Sequence, residues 1–179
     1  MFSAVGDFCL YWQHSPQWFI YGLLAFALAQ LLYLLAFDVT RISLDGVTVV
    51  TMATAVLTYT YILPGLKGAL TSLCGVYVVL IFTMTVAAAS RLRHGYVTAA
   101  SRLRHHGNGV TVWPRASACA GAVLFVVSDF VLAANKFRAP IPHARLLNLS
   151  TYFVAQCLIA FSVLESESEK NPKERGKEN

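Results

Sequence analysis

The sequence has little charge, and the charge it has is unevenly placed. Asp, Glu, Lys and Arg make up 13% of its 179 residues, whereas an average soluble domain carries roughly 25%. Nine of the 23 charged residues follow position 164, and five arginines fall between Arg91 and Arg115. Outside these clusters lie apolar stretches close to the ~20 residues that a helix needs to cross a bilayer. This distribution excludes an ordinary soluble domain.

The sequence also lacks the motifs of the common soluble enzymes and metal sites. Its four cysteines lie in apolar segments without CxxC spacing, so we expect them to be buried thiols. No GxSxG, P-loop, HExxH or GxGxxG pattern occurs. The net charge of +5 comes from basic residues that flank apolar segments without interleaved aromatic side chains. We therefore expect no metal, no cofactor and no nucleic acid partner.

What the sequence does contain is a series of apolar segments. Five of them are long enough, or nearly so, to cross a membrane: 19–37, 47–63, 66–89, 116–134 and 145–164. A shorter apolar segment, 2–12, predicts a partial first helix. Residues 1–164 are thus predicted to form an all-α, polytopic transmembrane bundle. Residues 165–179 are charged, have no apolar periodicity and are predicted to be a disordered tail.

The basic residues predict how the helices are oriented. If the segments alternate, the loops near positions 41 and 91–115 lie on the same side as the tail and carry most of the positive charge. The positive-inside rule makes this side, and the C-terminal tail, cytoplasmic. The motif AASRLRH occurs at 88–94 and again at 99–105. We expect this duplication to lengthen a cytoplasmic loop; a basic patch for anionic lipid headgroups is the alternative.

Two aspartates in apolar surroundings are the strongest functional candidates. Asp7 and Asp129 each lie about six residues before the end of their predicted helices, roughly 9 Å from the same interface. Ionisable residues within membrane segments are costly and indicate a functional site. Two carboxyls sharing a low-dielectric site keep one protonated and one ionised, as acid-catalysed cleavage of an ether-type bond requires. The alternative is that each aspartate only bonds helices together.

These residues also resemble a known family. Residues 2–10, FSAVGDFCL, are similar to the GDxxL-type motif of YhhN-like lysoplasmalogenases. Residues 128–137, SDFVLAANKF, resemble the family's second acidic motif, and residues 151–156, TYFVAQ, resemble its last helix. The similarity extends from Met1 to about Glu165, and it is loose between Asp38 and Pro114.

The resemblance implies an eight-helix fold in the endoplasmic reticulum membrane, with roughly two helices preceding Met1. It implies hydrolysis of the vinyl ether bond of lysoplasmalogens to a fatty aldehyde and glycerophospho-ethanolamine or -choline. Asp7 and Asp129 take the places of the family's acidic catalytic residues. The candidate substrate-binding residues are Gln30 (often His in the family), Tyr33, Asn135, Lys136, Tyr152 and Gln156.

Several alternatives remain open from the residues alone. The candidate polar residues, together with Asn148, could be hydrogen-bonding partners between helices instead of substrate contacts. The two carboxylates could relay protons in a coupled transporter, although no inverted repeat is present. The chain could also be a lipid-binding membrane protein with impaired catalysis, because part of the family fold is missing.

Overall fold

The structure is a computed structural model, and it describes residues 16–37, 42–106 and 112–170. Within those ranges the chain forms five α-helices and one 3-10 turn, with no strands. The helices are α1 (Pro16–Ala36), α2 (Gly46–Ile62), α3 (Ala69–His106), α4 (Trp113–Phe137) and α5 (Ala144–Lys170), with the 3-10 turn at Leu63–Gly65. All five helices contain a segment long and apolar enough to cross a membrane. The predicted all-α, multi-pass fold is confirmed.

Side-chain contacts group the helix termini into two ends of the bundle. At what we call the Arg93 end, Arg93 forms an ion pair with Asp45, which also caps α2. There the Arg91 guanidinium lies 5.4 Å from the centre of the Phe37 ring. At the opposite end, which we call the Phe137 end, the Phe19 and Phe137 ring centres are 5.6 Å apart. Successive helices therefore alternate in direction, as the prediction of their orientation assumed.

The duplicated motif is helical, so its interpretation as a loop was wrong. Helix α3 runs without interruption for 38 residues and contains both copies, a length of about 57 Å at 1.5 Å per residue. Alanine, leucine and arginine are all good helix formers, and the motif contains no glycine or proline to end the helix. An offset of eleven residues is close to three whole turns. The duplication therefore extends a membrane helix beyond the ~30 Å hydrocarbon core.

Other predicted segments are only partly covered by the structure. The partial helix at 2–12, and with it Asp7, lies outside the described residues. Helix α5 continues to Lys170, past the predicted domain boundary at 164, because Glu and Lys are good helix formers. The rest of the predicted tail, 171–179, also lies outside the described residues.

The close packing of α4 against α5 depends on a small residue, Gly121, at their contact. A side-chain carbon added to Gly121 would lie 2.9 Å from the Ala155 carbonyl oxygen and 2.8 Å from Ile159. We call this contact the α4–α5 seam. Ala155 is buried in it, and Ala118 and Ala122 on α4 are also buried. Between membrane helices, small residues let the backbones approach and gain van der Waals contact. The seam fixes which faces α4 presents to the other helices.

We predict that Gly121→Leu disrupts this seam. The added side chain must push α5 away or adopt a strained rotamer, which costs about 1–3 kcal/mol for overpacking. The melting temperature of the detergent-purified protein should fall clearly. Ala120→Leu adds the same bulk one residue earlier, at an exposed position, and should leave the melting temperature nearly unchanged. Equal melting temperatures for the two variants would contradict the packing role of Gly121.

Candidate functional site

Asp129 is placed in an apolar environment with a hydrogen-bond donor beside it. The hydroxyl of Tyr77 on α3 donates a hydrogen bond to Oδ2 of Asp129 on α4. Tyr77 is buried, and Asp129 is half-buried. A carboxylate on a membrane helix is costly unless polar partners satisfy it, and this bond supplies one of them. The carboxylate therefore faces the bundle.

The Tyr77–Asp129 pair lies on the wall of a cleft. The cleft is open to the outside, and its empty volume of about 680 Å³ includes that open space. Tyr77, Asp129 and Thr58 are the hydroxyl- or carboxyl-bearing residues of its wall. The remainder is sulfur or hydrocarbon, from Phe19, Leu23, Phe26, Ile62, Cys74, Val78, Ile81, Phe82, Val126, Phe130, Leu132, Ala133 and Phe137. Such a cleft suits an alkyl chain with one reactive polar group.

The pair lies well below the Phe137 end. Tyr77 is eight residues from the start of α3, and Asp129 is eight residues before the end of α4, so each lies about 12 Å along its helix from that end. Phe19 and Phe137 line the cleft at the end itself. An amphiphile entering here would reach the carboxylate with its hydrocarbon portion buried and its polar portion near the Phe137 end.

Ser128 and Asn148 hold Asp129 in this orientation from the other side of α4. The Asn148 amide donates to the Ser128 carbonyl and hydroxyl oxygens, both at 2.9 Å. The Ser128 hydroxyl donates to the Asn148 carbonyl oxygen at 3.0 Å. Because neighbouring residues on a helix point in directions about 100° apart, bonding Ser128 to α5 turns Asp129 towards α3. Asn148 therefore acts as a link between helices.

Gln30 lies deeper in the bundle, beside the pair. Its side chain is fully buried, with 0% exposed. Its amide lies next to the Tyr77 hydroxyl. Neither amide atom, however, has a hydrogen-bond partner of ordinary geometry. Buried polar groups in proteins almost always have a partner, which is often ordered water. Gln30 is therefore a buried polar group next to Tyr77, although it does not line the cleft itself.

The other candidate substrate-binding residues form contacts between helices or within loops. The Tyr33 hydroxyl donates to Oε1 of Gln156 at 2.8 Å, which joins α1 to α5. Tyr152 packs edge-on against Phe26 and Phe125, with ring centres 5.8 and 5.5 Å away. Neither Tyr33 nor Tyr152 lines the cleft wall. Their position is behind the site, although Tyr152 contacts it through Phe26.

Asn135 and Lys136 lie at the Phe137 end. The Asn135 side-chain oxygen accepts a 2.9 Å hydrogen bond from the Ile141 amide and so shapes the loop between α4 and α5. The Lys136 ammonium lies 4.5 Å from the centre of the Phe19 ring, and Phe19 lines the cleft. Lys136 is exposed. Its positive charge is therefore beside the cleft mouth, whereas Asn135 has a local structural contact.

Sequence reasoning identified Asp129 but missed Tyr77. A signal was present, since Tyr77 places a hydroxyl within the apolar segment predicted at 66–89, and a buried tyrosine hydroxyl usually requires a partner. The predicted pairing of Asp7 with Asp129 cannot be located, because Asp7 is outside the described residues. In the parts of the chain that the structure describes, no three His, Cys, Asp or Glu side chains form a metal-binding group.

Together, the helices and the cleft define a multi-pass membrane protein with a hydrogen-bonded carboxylate at an apolar cleft. The chain belongs to the YhhN family, whose profile matches residues 1–163. It is 40% identical over 166 residues to a human protein named lysoplasmalogenase TMEM86A, which covers 93% of this chain and 63% of the relative. It is 38% identical over 168 residues to pig lysoplasmalogenase TMEM86B, which covers 92% of this chain and 61% of the relative.

The chain thus spans somewhat less than two thirds of the length of these relatives. A bovine protein named lysoplasmalogenase TMEM86A is also 40% identical, over 167 residues that cover 63% of its length. No solved structure gives a significant match to the chain. These similarities establish the family.

We predict that Tyr77→Phe destabilises the protein by removing the donor to Asp129. A hydrogen bond to a charged group contributes about 1.5–3 kcal/mol. Tyr59→Phe is a matched control, since the Tyr59 hydroxyl donates at 3.1 Å to the uncharged Thr71 carbonyl oxygen. Thermal unfolding in detergent should show the larger loss for Tyr77→Phe. A larger loss for the Tyr59 variant would argue against the assigned bond.

Proposed function

We propose that this chain is a membrane hydrolase that cleaves the vinyl ether bond of lysoplasmalogens. The observation that carries the proposal is the hydrogen-bonded carboxylate of Asp129 at an otherwise apolar cleft. The names of relatives that are 34–40% identical to the chain support the same reaction, and they favour it over proton-coupled transport. The products would be a fatty aldehyde and a glycerophospho-ethanolamine or -choline.

In the proposed reaction, Asp129 and Asp7 form an acid/base pair. One carboxyl transfers its proton to the vinyl carbon remote from oxygen, which leaves an oxocarbenium ion at the carbon bonded to oxygen. The ionised partner stabilises this positive charge electrostatically. Water then adds to the charged carbon and loses a proton, and the resulting hemiacetal splits into the aldehyde and the glycerol hydroxyl. The low dielectric of the cleft strengthens each electrostatic step.

The cleft also accounts for substrate orientation. The alkenyl chain would lie against the apolar wall, while the phosphate would remain at the Phe137 end. Lys136 supplies a positive charge there, and the Arg138 guanidinium lies nearby, 4.9 Å from the centre of the Tyr61 ring. Both residues are exposed. We assign them to headgroup binding.

The structure supports an integral, multi-pass membrane protein. We propose that it resides in the endoplasmic reticulum membrane with the Arg93 end and the C-terminal tail in the cytoplasm. By sequence, this side carries six arginines, at positions 41, 91, 93, 102, 104 and 115, against Lys67, Lys136, Arg138 and Arg145 on the other side. Protease added to sealed microsomes should therefore digest an epitope placed on the tail. Protection of that epitope until detergent is added would reverse the orientation.

We predict that Asp129→Asn abolishes most turnover with little effect on membrane insertion. The amide retains the size of the side chain but can neither donate an acidic proton nor carry negative charge, so the rate should fall about 10²–10⁴-fold. The measurement is aldehyde release by the purified membrane protein from a lysoplasmalogen. A saturated ether lysolipid serves as the substrate control, since it has no double bond to protonate.

Asp45→Asn is the matched control variant for Asp129→Asn. Asp45 lies at the Arg93 end, away from the cleft, and asparagine caps a helix as well as aspartate does. This variant should release aldehyde at nearly the wild-type rate per folded molecule. Wild-type turnover by Asp129→Asn would show that the carboxylate is structural and would remove the mechanism.

We also predict a phosphate-specific effect of Lys136→Gln. Removing the charge should raise the KM for a lysoplasmalogen several-fold, as expected from the loss of about 1 kcal/mol of electrostatic attraction. The KM for an alkenyl glycerol without phosphate should change little. Lys67→Gln removes another exposed charge near the Phe137 end and should affect neither substrate. An equal KM increase for both substrates would indicate that Lys136 acts through packing on Phe19.

A further inference from the structure

The feature that the proposed reaction leaves unexplained is the Gln30 amide. It is fully buried on α1, one helical turn beyond Phe26, which lines the cleft. Both polar atoms of the amide are without a hydrogen-bond partner. Leaving such an amide unsatisfied in a bundle surrounded by lipid is more costly than replacing it with a hydrocarbon side chain. A polar ligand bound beside Gln30 would supply the missing hydrogen bonds of the amide.

The surroundings of Gln30 define which ligand fits. The amide is next to the Tyr77 hydroxyl, which donates its proton to Asp129. A tyrosine oxygen that donates one hydrogen bond can still accept another. The Tyr77 oxygen thus provides a hydrogen-bond acceptor, and the Gln30 amide provides a donor and an acceptor, to a ligand bound between them. A buried water molecule typically makes about three such bonds.

We propose that Gln30 is a positioning residue that holds the attacking water against Tyr77. This inference rests on the proposed hydrolase function and assigns its second step. The water oxygen bonds to the oxocarbenium carbon while one water proton passes to the Tyr77 oxygen. The Tyr77 proton passes at the same time to the Asp129 carboxylate. Tyr77 ends neutral, Asp129 ends protonated, and the hemiacetal carries no net charge.

The ratio of products formed in water and methanol tests this water-holding role. An oxocarbenium ion captured by methanol gives a mixed acetal instead of an aldehyde, so the ratio reports the addition step even where protonation limits turnover. Wild-type protein in dilute methanol should form less acetal than the solvent composition predicts, because the bound water has the advantage of proximity. Gln30→Met removes the amide at nearly constant size, and its acetal fraction should rise several-fold.

Thr85→Val is the control for deleting a buried polar group elsewhere. The Thr85 hydroxyl is buried and bonds within its own helix, to the Ile81 carbonyl oxygen at 2.9 Å. This variant should retain the wild-type acetal fraction. If Gln30→Met also retains it while Asp129→Asn loses turnover, the water-holding role is overturned and the hydrolase proposal stands.

A second measurement does not depend on activity. A water bridge couples Gln30 to Tyr77, so the losses in melting temperature caused by Gln30→Met and Tyr77→Phe should be non-additive in the double variant. Additive losses would overturn the bridge. If the wild type releases no aldehyde, the hydrolase proposal and the attacking role both fail, and additive losses in this cycle would overturn the bridge as well.

Discussion

The hydrogen bond from Tyr77 to Asp129 is the interaction around which the described site is arranged. An aspartate in a membrane helix must turn away from lipid and find polar partners, because a carboxylate in hydrocarbon is strongly unfavourable. α4 meets this requirement with two neighbouring residues that point in different directions. Ser128 bonds to Asn148 on α5, and Asp129 then faces Tyr77 on α3. Close packing of Gly121 on α5 fixes the same rotation of α4.

Much of the fold follows from the sequence, because a membrane imposes one dominant requirement on it. Helices that satisfy their own backbone hydrogen bonds and expose apolar side chains are the available solution. The segments predicted at 47–63 and 116–134 therefore match α2 and α4 to within about three residues at each end. Apolar character no longer predicts where a helix ends once the chain extends out of the hydrocarbon core of the membrane. The duplicated AASRLRH motif is polar enough to suggest a loop, yet its helix propensity continues α3 to His106.

The site could be predicted only in part, for a related reason. Asp129 is conspicuous in sequence because a charge in an apolar segment has few explanations. Tyr77 is inconspicuous because tyrosine is common in membrane helices, and its partner on α4 is 52 positions away in sequence. The i, i+4, i+8 spacing of Asn148, Tyr152 and Gln156 is that of residues on one helix face. It could not show that they contact three different neighbours: Ser128, Phe125 and Tyr33.

The two ends of the bundle differ in a way that gives the cleft a direction. At the Arg93 end, Arg93 is paired with Asp45 and donates to Ser90 at 3.2 Å, so charges there tie α2 to α3. At the Phe137 end, Lys136 lies over the Phe19 ring at the edge of the cleft instead. An exposed cation–π contact contributes only about 0.5–1 kcal/mol, which leaves the Lys136 charge available to a phosphate in the proposed function. The Arg93–Asp45 ion pair thus joins two helices at one end of the bundle. In the proposed function, the amphiphile would enter the cleft at the other end.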